Sequence, residues 1–345
     1  MQCISPNNAA LLSSMLDAAA KPCIVVHTHP DGDALGSGLA MLHYLRDRRG
    51  KDARLLIPDE APFSLHFLTG GEDITDASAE TRKADSLIES SDLIFVLDLN
   101  DFARTESLCR ALVGSKAPKV LIDHHLNPDL SLFTLAFSAP EASSTCELLY
   151  FLLREMEGGS IAGIPAKSLY AILTGITTDT NNFANSVGKG TLAAAGELLE
   201  AGVDREDILL HLYHEDRMER LKAGADLIAN HMTLLPGGIA LIILTARMQE
   251  EYGLRRGETE GMVNIPLEAG EVKMSIFLKE ENGCFRVSIR AKRGWSAVRM
   301  ARECFGGGGH ELAAGGKLRW PEDIPSRSRD DAEAYVRSIA ARFMP

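Results

Sequence analysis

Hydrophobic positions in the first half of the chain fall into short unbroken runs, separated by segments with helical spacing. Residues 23–27 (CIVVH) form a run of strand length, and over residues 34–48 Leu35, Leu39, Leu42 and Leu45 recur every three or four positions, as on one helix face. Residues 53–57, 93–97 and 120–122 repeat the strand-like pattern. They are apolar at nearly every position, as parallel strands covered on both faces should be. Helical spacing follows over 145–156, 166–177 and 191–201. The alternation predicts an α/β domain: a doubly wound, mostly parallel sheet with ligands at the carboxyl ends of its strands.

Residues 204–235 read as helical, charged and strand-free. Beyond them the period changes. Val272, Met274, Ile276 and Leu278 alternate with other residues, as do Phe285, Val287 and Ile289, which predicts strands with only one face fully buried. Glu281-Asn282-Gly283 between them supplies hairpin chemistry. Residues 296–305 and 330–343 read as helices, and FGGGGH from Phe305 as a glycine loop. We therefore expect domains at 1–200 and 236–345, the second a smaller α+β unit, joined by a helical connector at 201–235. The active-site cleft is expected between the two domains. A chain of 345 residues agrees with two domains of roughly 100–200 residues each.

Composition narrows the function. Hydrophobic residues at 45% and charged residues at 24% are ordinary for a globular chain, so extensive disorder is excluded. Thirty-six Lys and Arg against 48 Asp and Glu leave a net charge of −12, which argues against tight binding of long or duplex nucleic acid. It leaves room for a small anionic substrate, because a few local cations or metals can invert the field. The six cysteines, at 3, 23, 109, 146, 284 and 304, lack any C-x-x-C spacing and read as reduced. The first twenty residues have no basic stretch resembling a signal peptide, and no apolar run approaches the ~20 residues of a membrane span. We expect a cytoplasmic protein with no membrane partner.

The chemistry sits at the strand ends. The first strand runs into His27-Thr-His29-Pro-Asp31-Gly-Asp33. A surface turn alone would explain Pro-Asp-Gly, but not a terminal histidine and a second aspartate beyond the glycine. LIFVLD places Asp98 at the end of another strand, and KVLIDHH places Asp123, His124 and His125 at the end of a third. Three parallel strands ending in Asp or His bring these groups to one sheet edge. An uncompensated carboxylate cluster repels itself and raises its own pKa values. Divalent cations resolve this, and mixed carboxylate–imidazole donors suit Mn²⁺, Fe²⁺, Co²⁺ or Zn²⁺ better than Ca²⁺. Asp179 in GITTDTNNF is a further candidate ligand.

In that order, HTHPDGDALGS, Asp98, Asp123-His124-His125 and GITTDT resemble the four motifs of the DHH phosphoesterase family. FGGGGHELAAGG resembles the signature of the C-terminal domain that accompanies one of its branches. The resemblance spans about residues 20–320 and is greatest to the two-domain oligoribonuclease and pAp-phosphatase (nanoRNase) group. It implies two divalent metal ions, Mn²⁺ first and Co²⁺, Fe²⁺ or Mg²⁺ as alternatives. His27 and Asp31 would hold one ion, Asp33, His124 and Asp179 the other, and Asp98 would bridge them. Asp123 would orient the histidines from behind. His125 and Arg104 would face the substrate phosphate; His125 and Asp98 would carry the catalytic step, an in-line attack by water between two metals. In the second domain Arg290, Gly307, Gly308, Gly309 and His310 would hold the nucleotide. Three positions depart from the family's usual residues: His29 stands for Asn, Thr105 for Gly and Ala291 for Ser.

The second domain also has a reading independent of the resemblance. If Phe285, Val287 and Ile289 face the core, Arg286, Ser288 and Arg290 share the opposite strand face. Beside a glycine loop that admits a ligand to its backbone N–H groups, that face is a candidate anion cradle. Gly306–Gly309 lacks the Lys-Ser/Thr of a P-loop.

The expected activity is hydrolysis of short oligoribonucleotides, of pAp (3′-phosphoadenosine-5′-phosphate), or of both. Alternatives are a phosphodiesterase of linear or cyclic dinucleotides (pGpG, pApA, c-di-AMP), a RecJ-type exonuclease, an inorganic pyrophosphatase, and a non-catalytic nucleotide sensor. The charge argues against the exonuclease, the glycine-rich signature against the pyrophosphatase, and the intact ligand set against the sensor. A homodimer is compatible with this reading. His211 and His214, with Glu215 and Asp216, have metal-like spacing but read as a polar helix face, and His43, His66 and His231 read as structural.

Overall fold

The computed structural model describes residues 1, 3–281 and 283–344, in two compact units, Met1–Glu215 and Asp216–Pro345. The first is built on six strands: β1 (Pro22–Val25), β2 (Arg54–Ile57), β3 (Ile74–Asp76), β4 (Leu93–Leu97), β5 (Lys119–Asp123) and β6 (Leu135–Ser138). They lie in the order β3-β2-β1-β4-β5-β6, and every neighbouring pair is parallel. The short strands β3 and β6 are additions to the expected set. They lie at the two sheet edges, where partial exposure breaks up the apolar runs that mark the central strands.

Helices cover both sheet faces, which makes the sheet doubly wound. Leu12, Leu35, Leu39, Leu148, Leu152 and Ile172 bring helices Pro6–Ala18, Gly32–His43, Thr145–Met156 and Ala166–Asp179 onto one core. Ala84, Ile88 and Leu112 bring shorter helices onto the other. With both faces covered, β1, β4 and β5 are buried at every position, which explains their unbroken apolar runs. The strand order reverses between β1 and β4, the switch point at which open α/β sheets bind ligands.

Helix Gly32–His43 is buried along its whole length because it crosses helix Ala166–Asp179 at close quarters. A Cβ on Gly36 would stand 2.7 Å from the Ala171 carbonyl, and one on Gly175 would overlap the Cys146 thiol. Small residues at the crossing bring Asp33 and Asp179 to the same sheet edge.

The second unit contains β7 (Met232–Leu235), β8 (Ile239–Leu244), β9 (Met274–Glu281), β10 (Cys284–Ala291), β11 (Gly308–Gly309) and β12 (Ala313–Arg319). They form a mixed sheet in the order β11-β12-β10-β9-β8-β7, parallel only between β8 and β9. Three findings differ from the sequence pattern. First, residues 201–235 are not a separate connector: helix Arg205–Tyr213 belongs to the first unit, Met218–His231 to the second, and the segment ends in β7. Second, β10 alternates as expected, but β9 is buried over Met274–Leu278, because Leu227, Leu244, Met262 and Val263 cover the face that Phe277 presents. Third, Gly308 and Gly309 form an edge strand on β12 rather than a loop. A Cβ on Gly307 would collide with the Gly315 carbonyl, and Gly309 adopts φ +135°. Strands β9 and β10 pair antiparallel at Glu281 and Cys284; Asn282, expected in the turn, lies outside the described residues.

The close crossing predicts an asymmetry between two helical glycines. Gly175→Ala should destabilise the first unit by roughly 1–3 kcal/mol through overpacking. Gly196→Ala, in open space within helix Lys189–Glu200, should stabilise it by about 0.5–1 kcal/mol. Urea unfolding of both variants checks the order, and equal effects would show that the crossing tolerates a methyl group.

Candidate metal centre

The ends of β1, β4 and β5 deliver the candidate ligands to the switch point. His27 follows β1, and its Nδ1 lies 2.7 Å from the Thr28 carbonyl. With Nδ1–H donating there, Nε2 is turned to the carboxylates, 3.3 Å from Asp98 Oδ2 and 3.8 Å from Asp31 Oδ1. Asp31 caps helix Gly32–His43, its Oδ1 accepting from the N–H groups of Asp33 and Ala34 at 3.1 Å. The loop is tied from behind by Asp59, which accepts from Thr28 Oγ1 at 2.6 Å and from the His29 N–H at 2.9 Å.

Asp98 ends β4 with φ +60°, a left-handed conformation uncommon for a residue with a side chain. It is almost fully buried, and its two oxygens face in different directions. Oδ2 faces His27. Oδ1 lies 3.7 Å from His124 Nε2 and 3.6 Å from His125 Nδ1, and accepts from Thr145 Oγ1 at 2.9 Å. His124 turns its Nδ1 to the Ala142 carbonyl at 3.3 Å. Its Nε2 stands 3.8 Å from Asp33 Oδ2 and 3.6 Å from Asp179 Oδ2. Asp33 is buried, its oxygens accepting from the N–H groups of Thr145 at 2.7 Å and Cys146 at 2.9 Å. Asp179 is the last residue of its helix and is partly exposed.

Two triads result, His27/Asp31/Asp98 and Asp33/His124/Asp179, each with ligand atoms within 4.8 Å of one another. The donor set fits divalent cations. Each of His27 and His124 directs one ring nitrogen at a backbone carbonyl and the other at the carboxylates, the orientation typical of metal-binding imidazoles. The electrostatics also call for positive charge. Burial and the nearby charges of Asp98 and Asp179 push the Asp33 carboxyl well above its ordinary range. Burial alone would depress His124; the carboxylates of Asp179, Asp33 and Asp98 overcome it and bring the imidazole up to about 9. Burial likewise opposes ionisation of Asp98, but its hydrogen bond to His27 and the charges of His125 and His124 hold it below the usual range.

His125 sits beside the triads. Its Nδ1 lies 2.7 Å from Asp123 Oδ1, and its Nε2 lies 3.0 Å from Arg104 Nη1, which leaves Nε2 as the acceptor. Asp123, fully buried at the end of β5, is hydrogen-bonded to the His125 ring and lends its negative charge to His124. The Arg104 carbonyl accepts from the Thr28 N–H at 2.7 Å, tying the segment after β4 to the end of β1.

In the second unit Arg286, Ser288 and Arg290 share one face of β10, and Gly308 has open space where a side chain would be. Gly307 and Gly309 have a structural reason for lacking side chains, namely backbone contact with β12. His310 closes the following turn, its N–H donating to the Ala313 carbonyl at 2.7 Å. His211 lies 2.7 Å from Glu215 and stacks on Phe67, as a packed helix residue. The sequence reading missed Thr145, which touches both Asp33 and Asp98. Its signal is the run Ser143-Ser144-Thr145 at a helix start, which reads simply as a cap.

Parallel strands that gather carboxylates and imidazoles at the switch point of a doubly wound sheet define a metal-dependent hydrolase of phosphoester bonds. The chain belongs to the DHH family: residues 21–176 match the model of the DHH family, N-terminal domain, and residues 239–337 match that of the DHHA1 domain. It is 28% identical over 338 residues to a bifunctional oligoribonuclease and PAP phosphatase NrnA of Thermus thermophilus, covering 96% of this chain and 92% of the relative. The NrnA of Bacillus subtilis is also 28% identical, over 306 residues, or 87% of this chain and 90% of the relative. The crystal structure of an exopolyphosphatase-related protein from Bacteroides fragilis superposes with a TM-score of 0.88 at 31% identity, covering 99% and 98% of the two chains. Among the described residues, no helix is long and apolar enough to cross a membrane.

The raised His124 gives a pH test on metal-free protein. An imidazole raised from 6.5 to about 9 contributes stability that is complete below pH 6.5 and is lost as pH rises through about 9. Asp33, also raised, acts in the same direction, while the contribution of Asp98 is constant in this window. The melting temperature in EDTA should therefore fall by roughly 5 °C between about pH 6 and pH 9.5. Saturating Mn²⁺ should remove the decline. A flat profile in EDTA would mean that the carboxylates do not depend on a protonated His124.

Proposed function

We propose that the protein hydrolyses short oligoribonucleotides and pAp, using two divalent cations, Mn²⁺ first among them. The observation that carries this reading is the placement of Asp98 between the two triads, one oxygen toward His27 and the other toward His124. His27, Asp31 and Asp98 would hold one ion; Asp33, His124, Asp179 and Asp98 the other. When bound, the ions neutralise phosphoryl oxygens and lower the pKa of the attacking water. The names and coverage of the NrnA relatives support the substrate class.

The remaining roles fall to this chain's own groups. Arg104 and His125 lie side by side, and the guanidinium of Arg104, whose Nη1 donates to His125 Nε2, presents its remaining donors and positive charge to a phosphate at the edge of the metal centre. Asp123 holds the His125 ring so that Nε2 meets Arg104. Arg290, Gly307–Gly309 and His310 bind the nucleotide end of the substrate. A net charge of −12 disfavours long chains, whose distant phosphates would meet repulsion. This supports substrates of two to about five nucleotides.

Chelation should abolish hydrolysis of short RNA and of pAp, and added Mn²⁺ or Co²⁺ should restore it. Asp98→Ala should lose most activity with either ion, because one carboxylate serves both sites. Turnover in excess EDTA, or an active Asp98→Ala enzyme, would overturn the two-metal reading.

Arg290→Ala tests the substrate grip separately. A charge-assisted phosphate contact is worth roughly 1.5–3 kcal/mol, so kcat/KM for a trinucleotide should drop about ten- to a hundredfold. Hydrolysis of bis-p-nitrophenyl phosphate, which lacks a nucleotide to grip, should barely change. Equal losses on both substrates would assign Arg290 to folding or catalysis instead.

A further inference from the structure

The segment Ser143–Thr145 opens helix Thr145–Met156, and its hydrogen bonds are more specific than a cap requires. The capping task belongs to Ser144, whose Oγ accepts from the Glu147 N–H at 2.9 Å. Thr145 is therefore not needed as a cap. It is completely buried, and both of its donors go to candidate metal ligands. Its N–H reaches Asp33 Oδ2 at 2.7 Å, and its Oγ1 reaches Asp98 Oδ1 at 2.9 Å. The next N–H, of Cys146, reaches the other oxygen of Asp33 at 2.9 Å. The first two free N–H groups of the helix thus clamp one carboxylate in both oxygens, and the first side chain aims the other.

We infer that Thr145 is the positioning residue of the two-metal centre: its hydroxyl fixes the orientation in which Asp98 addresses both triads. The inference rests on the metal-binding reading given above. Asp98 can serve both sites only while its carboxylate plane is held with Oδ2 toward His27 and Oδ1 toward His124. Rotation about the last side-chain bond is otherwise soft. A hydroxyl has a single hydrogen, and here it is committed to Oδ1, so that oxygen is pinned. A neutral donor also suits the task electrostatically. Lysine or arginine in its place would pin the oxygen as well, but would cancel the negative charge that attracts cations. The branched Cβ restricts χ1, so the hydroxyl direction is set by the backbone at the helix start.

That backbone is itself anchored. Glu147 is buried, and its Oε2 accepts from the Ser143 N–H at 2.9 Å, from Ser143 Oγ at 2.5 Å and from Thr191 Oγ1 at 2.8 Å. The carboxylate at the third helical position therefore holds the strand-to-helix turn from inside. The turn that presents Thr145 is thus held by protein hydrogen bonds alone.

The test is Mn²⁺ affinity, measured by calorimetry or competition with a chelator on the full chain, together with the melting temperature of metal-free protein. Groups that orient metal ligands typically carry 10–100-fold in affinity. Thr145→Val, which keeps the shape and removes the hydroxyl, should weaken Mn²⁺ binding by about that factor, with a metal-free melting temperature close to that of the parent. Thr145→Ser should restore binding to within a few-fold of the parent. Asp98→Asn is the control for the metal reading. If Asp98→Asn also binds Mn²⁺ as the parent does, the two-metal reading fails and this inference with it. If Asp98→Asn loses Mn²⁺ while Thr145→Val binds normally, the metal reading stands and Thr145 is not its positioning residue. Thr145→Ser as weak as Thr145→Val would also overturn it, since packing of the methyl would then be what matters. So would a Thr145→Val chain that fails to fold beside a normal Thr145→Ser, which would assign the hydroxyl to the fold.

Discussion

Five carboxylates, those of Asp31, Asp33, Asp98, Asp123 and Asp179, converge with three imidazoles at one edge of a parallel sheet, and that concentration of negative charge governs the rest of the first unit. Asp33, Asp98 and Asp123 are removed from water. Neighbouring donors are spent on them: two helix N–H groups on Asp33, a threonine hydroxyl and His27 on Asp98, the His125 ring on Asp123. Even so, the local balance raises His124 to about 9 and Asp33 above its ordinary range, a cluster in which protons occupy places suited to cations.

The architecture answers that constraint with rigid supports. β1, β4 and β5 are buried at every position, so the residues that leave their carboxyl ends start from fixed points. Gly36 and Gly175 let two helices approach until Asp33 and Asp179 share a site with His124. The helix beginning at Thr145 then contributes its N-terminus to two of the carboxylates. The same N–H groups that open the helix therefore also orient Asp33 at the candidate site.

The second unit follows a different logic. The backbone of FGGGGH lies against β12, and Gly307 and Gly309 lack side chains because neighbouring carbonyls occupy the space. Gly308, between them, has open space where a side chain would be. Arg286, Ser288 and Arg290 project from β10 on the face that its alternation leaves partly exposed. In a motif that reads as a glycine loop, Gly308 and Gly309 form a paired edge strand, and the glycines on either side of Gly308 serve packing.

The sequence by itself determined the central strands, the main helices and the residues gathered at the sheet edge. Fully apolar runs ending in His27, Asp98 and Asp123-His124-His125 specify parallel strands with chemistry at their ends, because side chains on both faces of such strands must be buried and polar groups survive only at the termini. Period-two alternation over Phe285–Ile289 specified the half-buried β10 in the same way. Tertiary structure decided what depends on contacts distant in the chain. Asp33 and Thr145 stand 112 positions apart, and Asp98 and Thr145 47 apart, and nothing local in the chain marks the hydrogen bonds that join them. The burial of β9 depends on Leu227 and Met262 folding over it, and no periodicity within the strand encodes that cover. Asp123 likewise reads as a support for the two histidines, and only the folded chain shows its carboxylate hydrogen-bonded to the His125 ring. Hydrophobic patterning is a local property of the chain, whereas the direction of a buried carboxylate is set by whichever donors the fold brings to it.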